Sequence, residues 1–264
     1  MSEPVIQTDI DHRGVATLRL NRPEVNNAYN GEVIAALQER AEALGNDAAV
    51  RVIILRGNGR HFQAGADLKW IEENRGKTLE ENLKVSQATR KAFFGLLNCP
   101  KPIIAQVHGG CFGGGTGIAA SCDIIMAEET AVFAVTEARW GLIPTMIMPQ
   151  LVSRLGAARM RRYSLTCERF DAKRAFEMGF VDEVCAEGKL DETAAPTIDA
   201  LLHVAPATLA QLKSDAIGFA GLNFTEEEFA ELEQGHAKLR YTDEAEEGVK
   251  SFLEKRKPSW YPGE

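Results

Sequence analysis

No apolar run in this chain approaches the roughly 18–20 residues needed to cross a bilayer. The opening MSEPVIQTDIDHRG has no basic stretch followed by an apolar one, so it does not read as a secretory signal. Together these absences point to the cytoplasm. A basic surplus is missing too. The chain sets 30 Lys and Arg against 38 Asp and Glu, a net charge of −8, which argues against nucleic acid or an anionic membrane as partner. An anionic small molecule stays open, because a local cluster of cations can bind phosphate on an acidic protein. The five cysteines (Cys99, Cys111, Cys122, Cys167 and Cys185) contain no C-x-x-C pair and read as reduced, partly buried thiols. The five histidines offer neither a base beside a cysteine nor a ligand cluster, so no metal is expected. Repeats and low-complexity linkers are also absent. The 264 residues therefore read as one large domain, or a domain with an appendage.

What is present alternates. Val15 to Leu20 has the period of a strand, and Asn30 caps a helix whose Val33, Ile34, Leu37, Ala41 and Leu44 recur at helical spacing. Arg51 to Arg56 reads as a strand, Asp67 to Glu73 and Leu79 to Leu97 as helices, and Pro100 and Pro102 close the second of these. Further strands are expected at Ile103 to Val107, Ile124 to Ala127 and Val132 to Val135. Such alternation predicts an α/β fold with right-handed crossovers. From about Pro149 onward the segments are helical, and only Phe180 to Val184 resembles a strand. Thr225 before Glu226, Glu227 and Glu228 reads as an N-cap with acidic residues in the first turn.

The densest signal runs from Pro102 to Asp123. An apolar strand empties into Gly109, Gly110, Gly113, Gly114, Gly115 and Gly117, and a small-residue helix follows. Glycine lets the backbone approach a ligand, and the free N–H groups of a helix's first turn bind anions. Gly115 to Ala120 fits the dinucleotide fingerprint G-x-G-x-x-A, so a nicotinamide-dependent oxidoreductase is one reading. No acidic residue ends a second strand at the distance that fingerprint needs, and no lysine follows as in a phosphate loop. Tight helix–strand packing accounts for one or two of these glycines, not all of them. A third reading pairs this loop with Gly59 to Leu68 (GRHFQAGADL), each aiming one backbone N–H at a common oxyanion.

HFQAGADLK and VHGGCFGGGTGIAASCDIIMA resemble the two signatures of the crotonase, or enoyl-CoA hydratase/isomerase, superfamily. LNRPEVNNAYN and FLEKRKPSW resemble its two ends. The resemblance implies a spiral of ββα units over residues 1–195 that carries the acyl-CoA site. It also implies a helical oligomerisation region over 196–264, giving a homotrimer or a dimer of trimers. It places the oxyanion donors at Ala66 and Gly114, each typically worth about 3–4 kcal/mol of barrier. It makes Glu137 the acid/base and puts Gly117 where many members carry a second glutamate. Val25, Ala64, Ala66, Asp67, Leu68, Lys69, Gly114 and Arg139 are implied to contact substrate or CoA, along the loop from His61 to Lys69. Coenzyme A enters as part of the substrate, and no separate cofactor is implied.

The implied reaction is addition of water across C2–C3 of an enoyl-CoA thioester, with Glu137 as base and then acid. The same glutamate suits a Δ3,Δ2-enoyl-CoA isomerase. A non-catalytic acyl-CoA-binding protein is a further alternative. EARWGLIPTMIMPQL lacks the P-G-x-G-G-T-Q run usual after this glutamate, and resembles methylglutaconyl-CoA and isohexenylglutaconyl-CoA hydratases. Their second carboxylate calls for a cation near the acyl pocket, for which Arg139 and Lys69 are candidates. Lys255 and Lys257 either reach phosphates or compensate the last helix dipole. Met146, Ile147 and Met148 either line the acyl pocket or pack in the core. His61 and His108 are expected in loop-polar roles.

Overall fold

The computed structural model of the chain describes residues 3–259, so Trp260 of the closing FLEKRKPSW segment lies outside the described residues. The strands are β1 (Ile6–Ile10), β2 (Val15–Leu20), β3 (Val52–Gly57), β4 (Ile103–Val107), β5 (Gly110–Phe112), β6 (Ile124–Glu128), β7 (Val132–Ala134), β8 (Phe170–Asp171) and β9 (Glu183–Cys185). The first helices are α1 (Gly31–Asn46), α2 (Leu68–Arg75), α3 (Leu79–Leu97), α4 (Gly114–Ala120) and α5 (Met148–Thr166). They are followed by α6 (Ala172–Glu177), α7 (Leu190–His203), α8 (Pro206–Phe219), α9 (Glu226–Leu239) and α10 (Asp243–Leu253). No helix among the described residues is long and apolar enough to cross a membrane.

The main sheet runs β1-β2-β3-β4-β6-β9, with β1 antiparallel to β2 and every other pair parallel. Its central strand β4 is buried along its whole length, as parallel strands covered on both faces are. Alternate residues divide between the two faces. Ala16, Leu18, Ile53, Leu55, Ile103 and Ala105 enter the larger core with α1 and α3, whereas Val15, Val52, Ile54, Ile104 and Met126 pack on Leu190, Ala194 and Ile198 of α7. The second sheet, β5-β7-β8, is small and stands beside the glycine segment. This is a mixed α/β fold with a helical C-terminal region.

Local chemistry sets the ends of the site-bearing elements. Asn30 accepts from Val33 N at 3.0 Å, and Thr78 with Glu81 forms a capping box at the start of α3. The helical tail does not hang free. Phe229 of α9 packs edge-on to Phe94 of α3 at 4.9 Å, and Glu233 pairs with Arg90 at 2.5 Å, so α9 is fastened along α3.

Several expectations shift. The strand expected at Phe180 to Val184 starts only at Glu183, because the Phe180 and Val181 amides turn back to Ala175 O and close α6. Asp182 then accepts from Ile125 N at 2.7 Å and sets where β9 begins. Helix α5 is interrupted at Gly156, whose φ of 72° is not helical. The glycine stretch is not wholly a loop, since Gly110–Phe112 is a strand pairing with β7.

Candidate active site

Gln63 draws the two loops together. Its side-chain amide donates to Asn27 O at 3.1 Å and Gly65 O at 2.9 Å, and its Oε1 accepts from Gly65 N at 2.6 Å. Its backbone pairs with β5, through Gln63 N to Gly110 O at 3.1 Å and Phe112 N to Gln63 O at 2.9 Å. Gly65 takes φ 93° there, and a Cβ on it would sit 3.2 Å from Phe112 O. Tyr29 N then bonds Gly65 O, and Asp67 N bonds Tyr29 O. These bonds bracket Ala66 and leave its own amide over. On the other loop Gly113 N bonds Ala134 O, and Gly114 opens α4, where amides have no intrahelical partner. Neither amide donates to an acceptor among the described residues, and both Ala66 and Gly114 line the same inner pocket. His61 accepts from Gly110 N through Nδ1 at 2.7 Å, and His108 Nε2 lies 2.9 Å from Gly59 O, so both histidines hold loop backbone. Burial pushes the His61 pKa down, in keeping with a neutral acceptor.

Glu137 faces the pocket from a 3-10 turn (Glu137–Trp140) that follows β7. The residue is half-buried, yet its Oε2 is sealed from solvent and has no hydrogen-bond partner. Burial raises its pKa from the ordinary 4.5 to about 7, against a smaller opposing pull from the backbone N–H groups of Glu137 and Thr136. A Cβ on Gly113 would come 3.0 Å from Oε1, so the carboxyl lies directly against the glycine loop. Helix α10 braces the turn from outside. Gly248 lets it approach until a Cβ would be 2.4 Å from the Trp140 carbonyl carbon, and Phe252 packs on the Trp140 ring at 5.5 Å.

Gly117 is filled from across the core. A Cβ there would meet Ile147 Cγ2 at 1.9 Å, and one on Gly115 would meet Gln63 Oε1 at 2.4 Å. The fingerprint-like residues 115–120 therefore lie buried inside α4 and approach neighbouring side chains, leaving no space for a pyrophosphate. That corrects the dinucleotide reading. Close packing also explains more of these glycines than the sequence suggested, Gly114 included, where a Cβ would meet the Tyr29 ring at 2.4 Å. Glu137 is the only carboxylate among the described residues that line the inner pocket.

Two spaces meet at Ala66 and Trp140. The inner pocket encloses about 50 Å³ and is mostly apolar, with Phe93, Trp70, Met146 and Ile147 in its wall. Met148 lies elsewhere, in a groove beside Phe224. The outer cleft, about 720 Å³, is lined by Val25, Ala64, Ala66, Asp67, Leu68, Lys69 and Arg139. Arg139 and Lys69 thus face the cleft and not the acyl pocket, and Arg139 donates to Cys167 O at 2.9 Å. Lys255 and Lys257 do not line it, but Arg256 does, already engaged by Glu247 and Glu254. Arg169, unnoticed in the sequence, also lines it and stacks over Phe112 at 5.5 Å.

The cation of the inner pocket is Arg240, at the end of α9. Nothing in HAKLR marks it, because a basic residue ending a helix reads as dipole compensation. Its position comes from the docking of α9 on α3, a long-range event. Among the described residues no group of three or more His, Cys, Asp or Glu gathers as a metal site. Chemically, two free amides can hold a developing oxyanion beside one carboxyl that titrates near neutrality.

A family model described as Enoyl-CoA hydratase/isomerase matches residues 11–262. The chain is 34% identical over 257 residues to mevalonyl-coenzyme A hydratase of Aspergillus fumigatus, covering 94% of this chain and 92% of that protein. It is 32% identical over 257 residues to 1,2-epoxyphenylacetyl-CoA isomerase of Escherichia coli, covering 94% and 95%. Among solved structures it is similar to an enoyl-CoA hydratase from Mycobacterium avium, with TM-score 0.86, 30% identity, and 98% and 100% of the two chains covered.

Proposed function

The chain belongs to the enoyl-CoA hydratase/isomerase family, and we propose that it hydrates a short enoyl-CoA thioester with a single glutamate as base and acid. The observation that carries this reading is the sealed, unpartnered Glu137 carboxyl, raised to about 7, beside two amides without acceptors. Ionised Glu137 takes a proton from water, and the water oxygen bonds to C3 as the C2–C3 π electrons move onto the thioester. Ala66 N–H and Gly114 N–H hold the resulting enolate oxygen. Protonated Glu137 then returns its proton to C2, so the net change is addition of one water and the glutamate ends as it began. Ile147 in the space beside Gly117 supports a one-carboxylate mechanism, because a second glutamate side chain has no room there.

The CoA moiety occupies the outer cleft, with Lys69 and Arg169 available to its phosphates. Branched glutaconyl-CoA thioesters, 3-methylglutaconyl-CoA among them, are the proposed substrates. This reading rests on the EARWGLIPTMIMPQL segment. A cytoplasmic homotrimer or dimer of trimers is proposed for the assembled enzyme. Exposed Leu165, Phe176 and Phe219 supply apolar surface for such contacts.

A lone carboxylate also suits proton shuttling between carbons, and one assay separates the two readings. The protein is incubated with crotonyl-CoA, a 3-enoyl-CoA and 3-methylglutaconyl-CoA, while conjugated absorbance and mass are followed. Gain of one water with loss of absorbance supports hydration. Gain of absorbance from the 3-enoyl thioester without mass change replaces it with isomerisation. No change with any substrate, alongside tight CoA binding, overturns both.

A further inference from the structure

The proton chemistry leaves one group of the inner pocket unused. Arg240 is 6% exposed and lines that pocket. Its Nη1 donates to Ser86 Oγ and to His236 O, both at 3.3 Å, and no carboxylate among the described residues pairs with it. The same pair of helices shows what a neutralised arginine looks like here, since Arg90 meets buried Glu233 at 2.5 Å. The groups that Arg240 bonds, a hydroxyl and a backbone carbonyl, are uncharged. Burial first and Arg240 second hold the His236 pKa well below its ordinary value, and its Nδ1 lies 2.9 Å from Ser86 Oγ. Burial and Glu137 keep the Tyr29 phenol protonated.

A buried cation without a counter-charge is costly, and burial indeed lowers the pKa of this arginine. The end of α9 supplies only about half an elementary charge of compensation. Glu137 does not supply the rest. The carboxyl lies against Gly113, whereas the guanidinium bonds Ser86 and His236 O, and the two form no ion pair. Glu137 thus enters the pocket from the glycine loop and Arg240 from the α3–α9 side, two different walls of one space.

Resting on the hydratase reading above, we propose that Arg240 receives the distal carboxylate of the acyl group, so that the substrate is a short dicarboxylic acid held as its mono-CoA thioester. A guanidinium presents paired N–H donors that match a carboxylate, and the anion cancels the buried charge. The pocket's about 50 Å³, at ~10–15 Å³ per water-sized probe, admits about four small groups.

The test uses calorimetry on the intact protein with two saturated thioesters of equal length, glutaryl-CoA and pentanoyl-CoA. Wild type is expected to bind glutaryl-CoA about 10- to 100-fold more tightly, the range of a charge-assisted hydrogen-bonded pair. Arg240→Met should collapse that ratio to near one, and Arg240→Lys should keep part of it. Equal affinities in wild type, or a ratio that survives Arg240→Met, overturn the assignment. The wild-type comparison decides alone if the variant does not fold. Turnover of glutaconyl-CoA and 2-pentenoyl-CoA separates the two levels of the argument. Hydration of both at equal kcat/KM sinks the carboxylate subsite and leaves the hydratase standing. Tight glutaryl-CoA binding with turnover of neither leaves the subsite standing and removes the hydratase.

Discussion

Replacing Glu137 by glutamine should stabilise this protein above neutral pH while removing its activity. The carboxyl pKa rises from 4.5 in the free side chain to about 7 in the fold, with burial as the main cause. Each pKa unit corresponds to 1.36 kcal/mol, so ionising Glu137 in place costs the folded state up to about 3 kcal/mol. The direction follows from proton binding. Between pH 4.5 and 7 the folded state keeps a proton that the unfolded state has released, so stability falls as pH rises through that window. Below pH 4.5 both states are protonated and glutamine gains nothing. Above about pH 7 the full difference applies, reduced by whatever water reaches this half-buried side chain.

The assay is urea unfolding of wild type and Glu137→Gln from pH 4.5 to 8, at one fixed protein concentration because any self-association would add stability. The stability difference should grow with pH toward about 3 kcal/mol, or ~2–4 °C in Tm per kcal/mol. In parallel, hydration should fall by about 10²–10⁴-fold in the variant, and wild-type kcat/KM should climb as pH passes 7. A difference that stays flat from pH 4.5 to 8 refutes the reasoning, because it means that Oε2 ionises as freely as in water.

Three other perturbations address the parts around this carboxyl. Ala66→Pro removes one amide donor and should lower kcat about 10²–10³-fold with CoA affinity largely kept, measured by kinetics and calorimetry. Gly117→Glu forces a Cβ onto Ile147 Cγ2 and should destabilise the fold by about 1–3 kcal/mol or more without raising hydration. Adding Ile147→Gly should recover part of the lost Tm, and no recovery would locate the strain elsewhere. Gln63→Leu strands Gly65 N–H and the Asn27 carbonyl, at about 1–3 kcal/mol for each group left unsatisfied, while the Gly65 carbonyl keeps its bond from Tyr29 N. Amide exchange should accelerate first at residues 63–67, and unchanged exchange there counts against Gln63 as the joint between the loops.

What could be read from the chain was local in origin. The period-two run Val15 to Leu20, the Asn30 cap and the apolar Ile103 to Val107 all appear where their patterns put them. The failures are long-range. β5 is short and holds a glycine, so only its pairing with β7 makes it a strand. Gly115 and Gly117 mimic a phosphate motif because close approach to Gln63 or Ile147 selects the same residue as close approach to a ligand. Arg139 stands two positions from Glu137, yet the tight turn after Thr136 sends it to the outer cleft. Arg240 lies more than a hundred residues along the chain and arrives only when α9 docks on α3. Sequence proximity is a poor guide to which cation faces a pocket.

The filled space at Gly117 bears on why one glutamate is enough in the proposed mechanism. A group that must act as base and then as acid in one turnover works best with a pKa near the operating pH. A second carboxylate would add like-charge repulsion and split the titration between two groups. Here no neighbouring charge is among the causes that shift Glu137, and desolvation brings it to about 7. Ile147 therefore does two things by occupying that space. It excludes a partner carboxylate, and its buried side chain forms part of the apolar wall of the pocket that Glu137 also lines. If desolvation is the main cause, Ile147→Ser should move the kcat/KM pH profile toward lower pH, because a hydroxyl and admitted water solvate the carboxylate. An unmoved profile would mean that Ile147 plays no part in that desolvation.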